Sequence, residues 1–338
     1  MKMDKLVDIV ELFPQCRVAV LGDLMLDSYT WGRATRISQE APVPVVLVER
    51  QNNVPGGAAN VARNVQSLRG HAAAFGLTGE DREGDLLRDL LRDDGVEHGS
   101  ISTFPAFPTT VKTRILAGSQ QVVRLDREEP CAVSDSMRET VLTALEQTLR
   151  RGNCQALIME DYAKGLFTRE FMTRAIAIAQ RHGIFVTLDP HPAHAFDLTG
   201  IRLMTPNRAE AFALAGIPYT AGTGAPAADE PLLNVGNELL RRWQCQLLLI
   251  TLGAEGMALF TPDSNRVTHI PTRAQRVFDV SGAGDTVMAT MTLALAGGAS
   301  PHEAAEIANY AAGIVVGYVG TRAISAGELI DKLHSLAQ

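Results

Sequence analysis

Short apolar runs that end in turn residues alternate with amphipathic stretches through most of this chain, and that alternation limits the fold more than any one motif. Arg17–Leu21 (RVAVL) stops at Gly22-Asp23, residues 156–159 at Glu160-Asp161, residues 185–188 at Asp189-Pro190, and residues 247–250 at Thr251. Such uninterrupted runs read as strands buried on both faces, as in a parallel sheet. A further strand is expected at 72–75, and an antiparallel pair at 256–260 and 266–270. Helical spacing predicts an N-terminal amphipathic helix and others near 58–68, 84–94, 134–151, 169–182, 232–243, 284–296 and 302–316, the last two closing the chain. The expectation is an α/β fold with helices on both faces of a mostly parallel sheet, and residues 1–338 read as one domain. Two segments break the alternation, about 29–50 and 109–125, where Thr, Val, Trp and edge-type prolines predict a small separate β-sheet placed as a lid. The loop Thr220–Glu230 (TAGTGAPAADE) reads as a surface excursion without chemistry.

Composition narrows the function. The chain has 338 residues, 46% of them hydrophobic and 20% charged, which fits a folded enzyme and not a disordered chain. A net charge of −7 gives no general attraction to nucleic acid or to anionic membranes, so an anionic substrate must be met by locally placed cations or helix N-termini. Cys16, Cys131, Cys154 and Cys245 are widely spaced and form no CxxC pair, which fits a reducing compartment and neither a zinc site nor a disulfide framework. Without a signal-like N-terminus or a membrane-length apolar run, the expected location is the cytoplasm.

The strongest chemical signal is Asp279-Val-Ser-Gly-Ala-Gly-Asp285, followed by apolar residues at helical spacing. Gly282, Ala283 and Gly284 then form a turn of free N–H groups at the positive end of a helix, where an anion binds. Asp285 reads either as a capping charge or as a general base that takes a proton from an attacking hydroxyl while the turn neutralises a phosphoryl group.

Gly56-Gly57-Ala-Ala-Asn60 permits close backbone approach and hinge motion at a helix start, with Asn60 able to hold a polyol or simply to cap locally. Asp23 lies at the C-terminal end of a strand, where open parallel sheets bind ligands, and Asp27 is similarly placed. Asn207-Arg-Ala-Glu210 reads equally as a capping box and as a carboxylate near hydrated Mg²⁺. Thr251-Leu-Gly253-Ala-Glu-Gly256 is a turn or a rest for a nucleotide, and it has neither P-loop nor dinucleotide spacing. Lys112, Arg114, Arg124 and Lys164 are the cations that could converge on a phosphorylated substrate. His191 and His194 have ligand-like spacing, but the intervening Pro192 and the lack of nearby partners argue against a metal site.

Occurring together and in this order, Gly56–Asn60, Asn207–Glu210 and Asp279–Asp285 resemble the signatures of the ribokinase (PfkB) family of sugar kinases over essentially the whole chain. Within it the chain is most similar to the D-glycero-β-D-manno-heptose 7-phosphate kinases. The residues carrying that likeness are Gly22–Asp27, Arg36–Val45 (RISQEAPVPV), Gly56–Asn64, Arg124–Asp126, Asp161–Gly165 and Val277–Asp285. The resemblance implies a ribokinase-like three-layer α/β/α fold with a β-lid that often mediates a homodimer. It implies ATP as donor, Mg²⁺ as cofactor, and room for a monovalent cation.

By the same resemblance, Asp285 would be the base and Gly282, Ala283 and Gly284 the anion hole. Asp23, Gly56, Gly57 and Asn60 would hold the sugar, and Lys164 with Arg124 or Arg114 its phosphate. Asn207, Thr251, Gly253, Gly256 and Asn309 would face the nucleotide, with Glu210 toward the metal. The expected reaction is phosphorylation of the C1 hydroxyl of heptose 7-phosphate, a step toward ADP-heptose for lipopolysaccharide core. Many relatives carry a fused nucleotidyltransferase domain, and with this chain ending soon after the last kinase helix, that activity is expected to come from another protein. Two positions depart from the pattern, His191 where Lys is usual and Glu160 where Ser is more common, and either predicts a shifted substrate preference. The alternatives are a kinase for fructose, ribose or another sugar phosphate, and a non-catalytic sugar or nucleotide sensor on the same fold.

Overall fold

The computed structural model describes residues 2–335 except 119, 129–132, 263–266 and 275, so Cys131 and the first residue of the expected 266–270 strand lie outside the described residues. In chain order the elements begin with α1 (Lys2–Glu11), β1 (Arg17–Gly22), β2 (Leu24–Ile37), β3 (Pro44–Gly57), α2 (Ala58–Ser67), β4 (His71–Phe75), β5 (Leu77–Gly79), α3 (Arg82–Asp93) and β6 (Ser102–Phe104). There follow β7 (Thr110–Ala117), β8 (Gln120–Arg127), α4 (Asp135–Leu149), β9 (Ala156–Glu160), α5 (Arg169–Arg181), β10 (Phe185–Asp189), β11 (Leu203–Met204) and α6 (Arg208–Ala215). The last are α7 (Glu230–Trp243), β12 (Leu247–Thr251), β13 (Met257–Phe260), β14 (Thr268–Ile270), α8 (Ala283–Ala296), α9 (Pro301–Val315) and α10 (Ala326–His334).

The main sheet runs β14-β13-β12-β11-β10-β9-β1-β4 among the described residues. Pairing is parallel from β4 to β12 and antiparallel at β13 and β14. Alternate residues of one strand feed the two faces. Val18 and Val20 join a core with α1, α2, α3, α8, α9 and α10, while Ala19 and Leu21 join one with α4 to α7. This is the ribokinase-like three-layer arrangement. From β1 the chain runs to β4 on one side and to β9 on the other, so a crevice opens beyond the ends of β1 and β9, where open α/β sheets bind ligands. Gly22, Glu160 and Asp189 share a register there, which puts Asp23 and residues 161–164 at its mouth.

A second sheet, β3-β2-β7-β8, stands over that crevice. It is larger than the expected 29–50 and 109–125 segments, because β2 begins at Leu24 with only Asp23 between it and β1. Asp23 makes that bend without a loop by accepting backbone N–H groups from Tyr162 and Lys164. Gly56 and Gly57 end β3 and do not begin the helix, with Gly57 at φ +56° as the residue before α2. The expectation that two helices close the chain is corrected by α10, which Ser325 and Glu328 cap and which packs on α1 and α9. The short pair β5 and β6 was also not legible as sheet.

Candidate active site

Asp285 lies in the first turn of α8, buried, with a donor on each carboxylate oxygen. Asn60 Nδ2 reaches Oδ2 at 2.6 Å and the Tyr162 hydroxyl reaches Oδ1 at 2.7 Å. Thr286 Oγ1 donates to Asn64 Oδ1 at 3.0 Å, fixing α8 against α2. Burial pushes the Asp285 carboxyl above the usual range, and the Asn60 and Tyr162 hydrogen bonds and Lys112 pull back against it. A carboxylate so placed is a stronger base than an exposed one. The structure therefore turns Asn60, expected to hold sugar hydroxyls, onto the proposed base, while its Oδ1 stays buried without a partner.

Gly282 precedes α8 at φ +76°, and a Cβ there would meet Asn60 Nδ2 and Thr321 Cγ2 at 3.1 Å, so this turn needs glycine. The three amides expected to form an anion hole are not alike. Ala283 donates its N–H back to Val280 O at 3.2 Å, whereas Gly282, Gly284 and Asp285 have no backbone acceptor among the described residues. Those three amides sit at the helix's positive end.

Asp23 is buried and its carboxyl is pushed up to about 6, by desolvation first, against the pull of the Lys164 and Tyr162 N–H groups. Oδ2 is taken by those amides, leaving Oδ1 for a ligand. Gly56 allows Asp27 to come close, since a Cβ there would lie 2.7 Å from Asp27 Oδ2.

The cations expected to anchor a phosphate are mostly committed to carboxylates. Arg114 Nη1 lies 2.6 Å from Asp27, Arg124 pairs with Asp126 at 2.9 Å through two nitrogens, and Lys164 Nζ lies 2.5 Å from Glu128. Lys112 makes no ion pair among the described residues and sits over the Tyr162 ring, with its ammonium pushed down by burial and by Lys164. Arg114 and Arg124 are register partners on β7 and β8, and Lys112 pairs with Asp126, so these groups share one face of the lid sheet.

Glu160 is wholly buried, and neither carboxylate oxygen has a partner. Burial, with Asp189, Asp285, Asp161 and Glu210 around it, pushes its carboxyl well up, and Asp189 is raised by burial, Glu210 and Asp285. His194 has a partner after all, since Nδ1 lies 2.7 Å from Asp161 Oδ2, while His191 Nδ1 accepts from Ala193 N. No cluster of metal-ligating side chains forms at these histidines or elsewhere among the described residues.

At the far end of the crevice, Asn207, Thr251 and Gly253 line a groove of about 420 Å³ with Tyr219, Gly222 and Glu255. Asn207 and Glu210 form the capping box of α6, with Glu210 Oε2 accepting the Asn207 N–H at 2.8 Å and Oε1 left over. Gly256, at φ +89°, could not carry a side chain, because its Cβ would lie 2.1 Å from Ile270 O. Asn309 spends its amide on Pro271 O at 2.6 Å and so props the loop after β14. The 220–230 loop is not a free excursion. Arg208 donates to Thr220 O, Ala221 O and the buried Asp229 carboxylate, and Glu255 accepts the Gly224 N–H. Tyr162 and Arg208 stand inside recognisable motifs, but no local pattern marks what they do, since Tyr162 meets a partner 123 residues on and Arg208 meets groups 12 to 21 residues on.

A buried carboxylate beside free helix-N-terminal amides, in a crevice at the strand-order switch, fits an α/β phosphotransferase. The chain belongs to the pfkB family of carbohydrate kinases, whose pattern matches residues 16–326. Bifunctional protein HldE of Geobacter sulfurreducens is 40% identical over 314 residues, 93% of this chain and 62% of that protein. Bifunctional protein HldE of Stutzerimonas stutzeri is 43% identical over 317 residues, 94% of this chain and 63% of that protein. The chain thus spans less than two thirds of the length of these relatives. Arabidopsis thaliana ribokinase, solved with ribose and ATP, superposes with a TM-score of 0.70 at 20% identity, over 94% of this chain and 98% of that one. Escherichia coli phosphofructokinase-2, solved with potassium, gives 0.73 at 21% identity over 96% and 99%. These two likenesses bear on the fold. No helix among the described residues is long and apolar enough to cross a membrane.

Proposed function

We propose that the chain transfers the γ-phosphoryl group of ATP to the C1 hydroxyl of D-glycero-β-D-manno-heptose 7-phosphate, giving the 1,7-bisphosphate for ADP-heptose and lipopolysaccharide core. The observation that carries this reading is the Asp285 carboxylate, buried at a helix N-terminus beside unpaired amides. It would take the C1 proton as the sugar oxygen attacks phosphorus, while the amides of Gly284 and Asp285 meet the charge on the transferred group. ADP leaves with the electron pair of the broken bond. The choice of sugar rests on the RISQEAPVPV resemblance and on the identity to the HldE proteins.

Asp23 Oδ1 would accept a sugar hydroxyl under the lid, and Gly56-Gly57 would let the lid close and exclude water. Lys112, which makes no ion pair among the described residues, would join Lys164, Arg114 and Arg124 in meeting the 7-phosphate, with those three exchanging carboxylate for phosphate. The 420 Å³ groove at Asn207, Thr251 and Gly253 would take the nucleotide, with Gly256 making the turn that follows Glu255 and Asn309 holding the loop after β14. The free Oε1 of Glu210 fits a Mg²⁺ that keeps most of its waters, and the ion would offset negative charge on the phosphates. A monovalent cation near the 279–285 loop is a further part of the proposal. A homodimer through the lid is supported by the exposed Ile37, Leu47, Val123 and Leu125 on that sheet. The cytoplasm is the proposed compartment.

The test is ADP release with MgATP against heptose 7-phosphate, sedoheptulose 7-phosphate, fructose 6-phosphate, fructose and ribose. Selectivity for heptose 7-phosphate is the expected result. Preference for another sugar would keep the kinase and discard the substrate, and no turnover with any acceptor would favour a sensor.

A further inference from the structure

Tyr162 is tied down more firmly than a surface tyrosine needs to be. Its N–H donates to Asp23 Oδ2 at 2.9 Å, and its ring lies under Lys112 Nζ at 5.3 Å from the lid strand β7. The turn that carries it is bonded at two more points, Ala163 N to Asp161 Oδ1 at 2.9 Å and Lys164 N to Asp23 Oδ2 at 3.1 Å. Ala163 takes a left-handed φ of +54°, which a side chain adopts at a cost that these bonds offset. All of this aims one hydroxyl at Asp285 Oδ1, 2.7 Å away.

We propose that Tyr162 is a positioning residue for Asp285: its hydroxyl fixes the carboxylate's orientation and sets the pH at which Asp285 becomes a base. The proposal rests on the reading of Asp285 as general base. Burial holds the phenol well above its ordinary pKa, so it stays protonated and faces the carboxylate as a donor. With Asn60 on Oδ2, each oxygen keeps an unused lone-pair direction for the acceptor hydroxyl, so the two donors orient the base without occluding it. Lys112 on the ring makes the arrangement sensitive to the lid.

The groups facing Asp285 leave this task to few others. Asp27 approaches from β2 and opposes ionisation, though Arg114 pairs with it. Glu160 at the end of β9 and Asp189 at the end of β10 also face Asp285, whose charge raises their carboxyls. Lys112 from β7 favours ionisation, as do the Asn60 amide from α2 and the Tyr162 hydroxyl. Removing that hydroxyl therefore raises the pH at which Asp285 loses its proton.

The experiment uses Tyr162→Phe, which keeps the ring under Lys112 and deletes one oxygen. The acid limb of the kcat/KM profile should move up by about one pH unit, as expected for a lost hydrogen bond to a charged group, with KM for ATP little changed. In parallel, ¹³Cγ-aspartate-labelled protein without ligands is titrated by NMR, with the Asp285 signal assigned by its loss in Asp285→Asn. Its midpoint should rise by the same amount in Tyr162→Phe. A lower Tm with an unmoved midpoint would make Tyr162 merely structural and overturn the proposal. If the wild-type protein phosphorylates no sugar, the functional reading fails, and the ligand-free titration still decides whether Tyr162 sets the Asp285 midpoint.

Discussion

The side-chain amide of Asn60 lies 2.6 Å from Asp285 Oδ2, joining the helix that leaves the lid hinge to the helix that carries the proposed base. Gly56-Gly57 at the end of β3, Asn60 on α2 and Asp285 on α8 are thus joined by a short stretch of chain and one hydrogen bond. The bond also supplies one of the two donors that favour the ionised form.

Asn60→Asp replaces that donor with a second carboxylate at hydrogen-bonding distance. Two such groups share a proton, so one of them ionises only at much higher pH. Activity at pH 7 should fall by about 10-fold to 100-fold, with recovery as pH rises. A pH–rate profile checks this, and an unmoved acid limb would remove Asn60 from the site.

Gly282→Ala adds a Cβ at φ +76°, at 3.1 Å from both Asn60 Nδ2 and Thr321 Cγ2. The left-handed conformation costs about 1–2 kcal/mol for a residue with a side chain, and the contact pushes Asn60 off the carboxylate. Thermal melting should show the lost stability and steady-state kinetics a lower kcat. An unchanged kcat would mean that the helix start tolerates the displacement.

Glu160→Gln tests the buried carboxyl. Its folded pKa is raised, so native protein holds a proton that unfolded chain releases above its ordinary carboxylate pKa. The stability it contributes is present below that unfolded pKa and is lost as pH rises through the folded one. The slope is at most about 1.4 kcal/mol per pH unit. The variant should match the wild type near pH 4 and melt progressively higher than it toward pH 8. Parallel melting curves across that range would contradict a raised Glu160 pKa.

Much of the fold was legible because buried strands and amphipathic helices announce themselves locally. Arg17–Gly22 and Ala156–Glu160 form where apolar runs predicted them, and the edges of the lid were misjudged because Leu24–Asp27 continues a strand through a single bent residue. The closing helix Ala326–His334 has a capping box in its own sequence, Ser325 with Glu328, and that signal was available. At the candidate site the sequence marks positions and not partnerships. Asp23, Asn60 and Asp285 gather around one crevice, but no local pattern says that Asn60 points at Asp285, that Tyr162 does the same, or that Arg114 is held by Asp27. Those contacts join residues far apart in the chain, so only the folded geometry states them.

Arg208→Ala strands the Asp229 carboxylate, which is 1% exposed and 2.8 Å from the guanidinium. Breaking a buried pair from one side costs about 3–5 kcal/mol. It also frees Thr220 and Ala221, whose carbonyls the arginine holds beside the proposed nucleotide groove. A lower Tm and a several-fold higher KM for ATP are expected. Arg208→Met with Asp229→Asn, which removes both charges, should restore much of the Tm without restoring the KM. Restoration of both would separate the loop from nucleotide binding.

The most direct test of the central claim is Asp285→Asn, assayed for ADP formation with heptose 7-phosphate and for ATP binding by calorimetry. The variant keeps the side chain's size and one of its two acceptor oxygens, turns the other into an N–H₂ that Asn60 or Tyr162 must give way to, and removes the proton acceptor. Turnover should fall by about 10²–10⁴, the usual contribution of a positioned general base, while ATP affinity stays close to wild type. Turnover within a few-fold of wild type would contradict the account, because the carboxylate on which Asn60 and Tyr162 converge would then not be taking the proton.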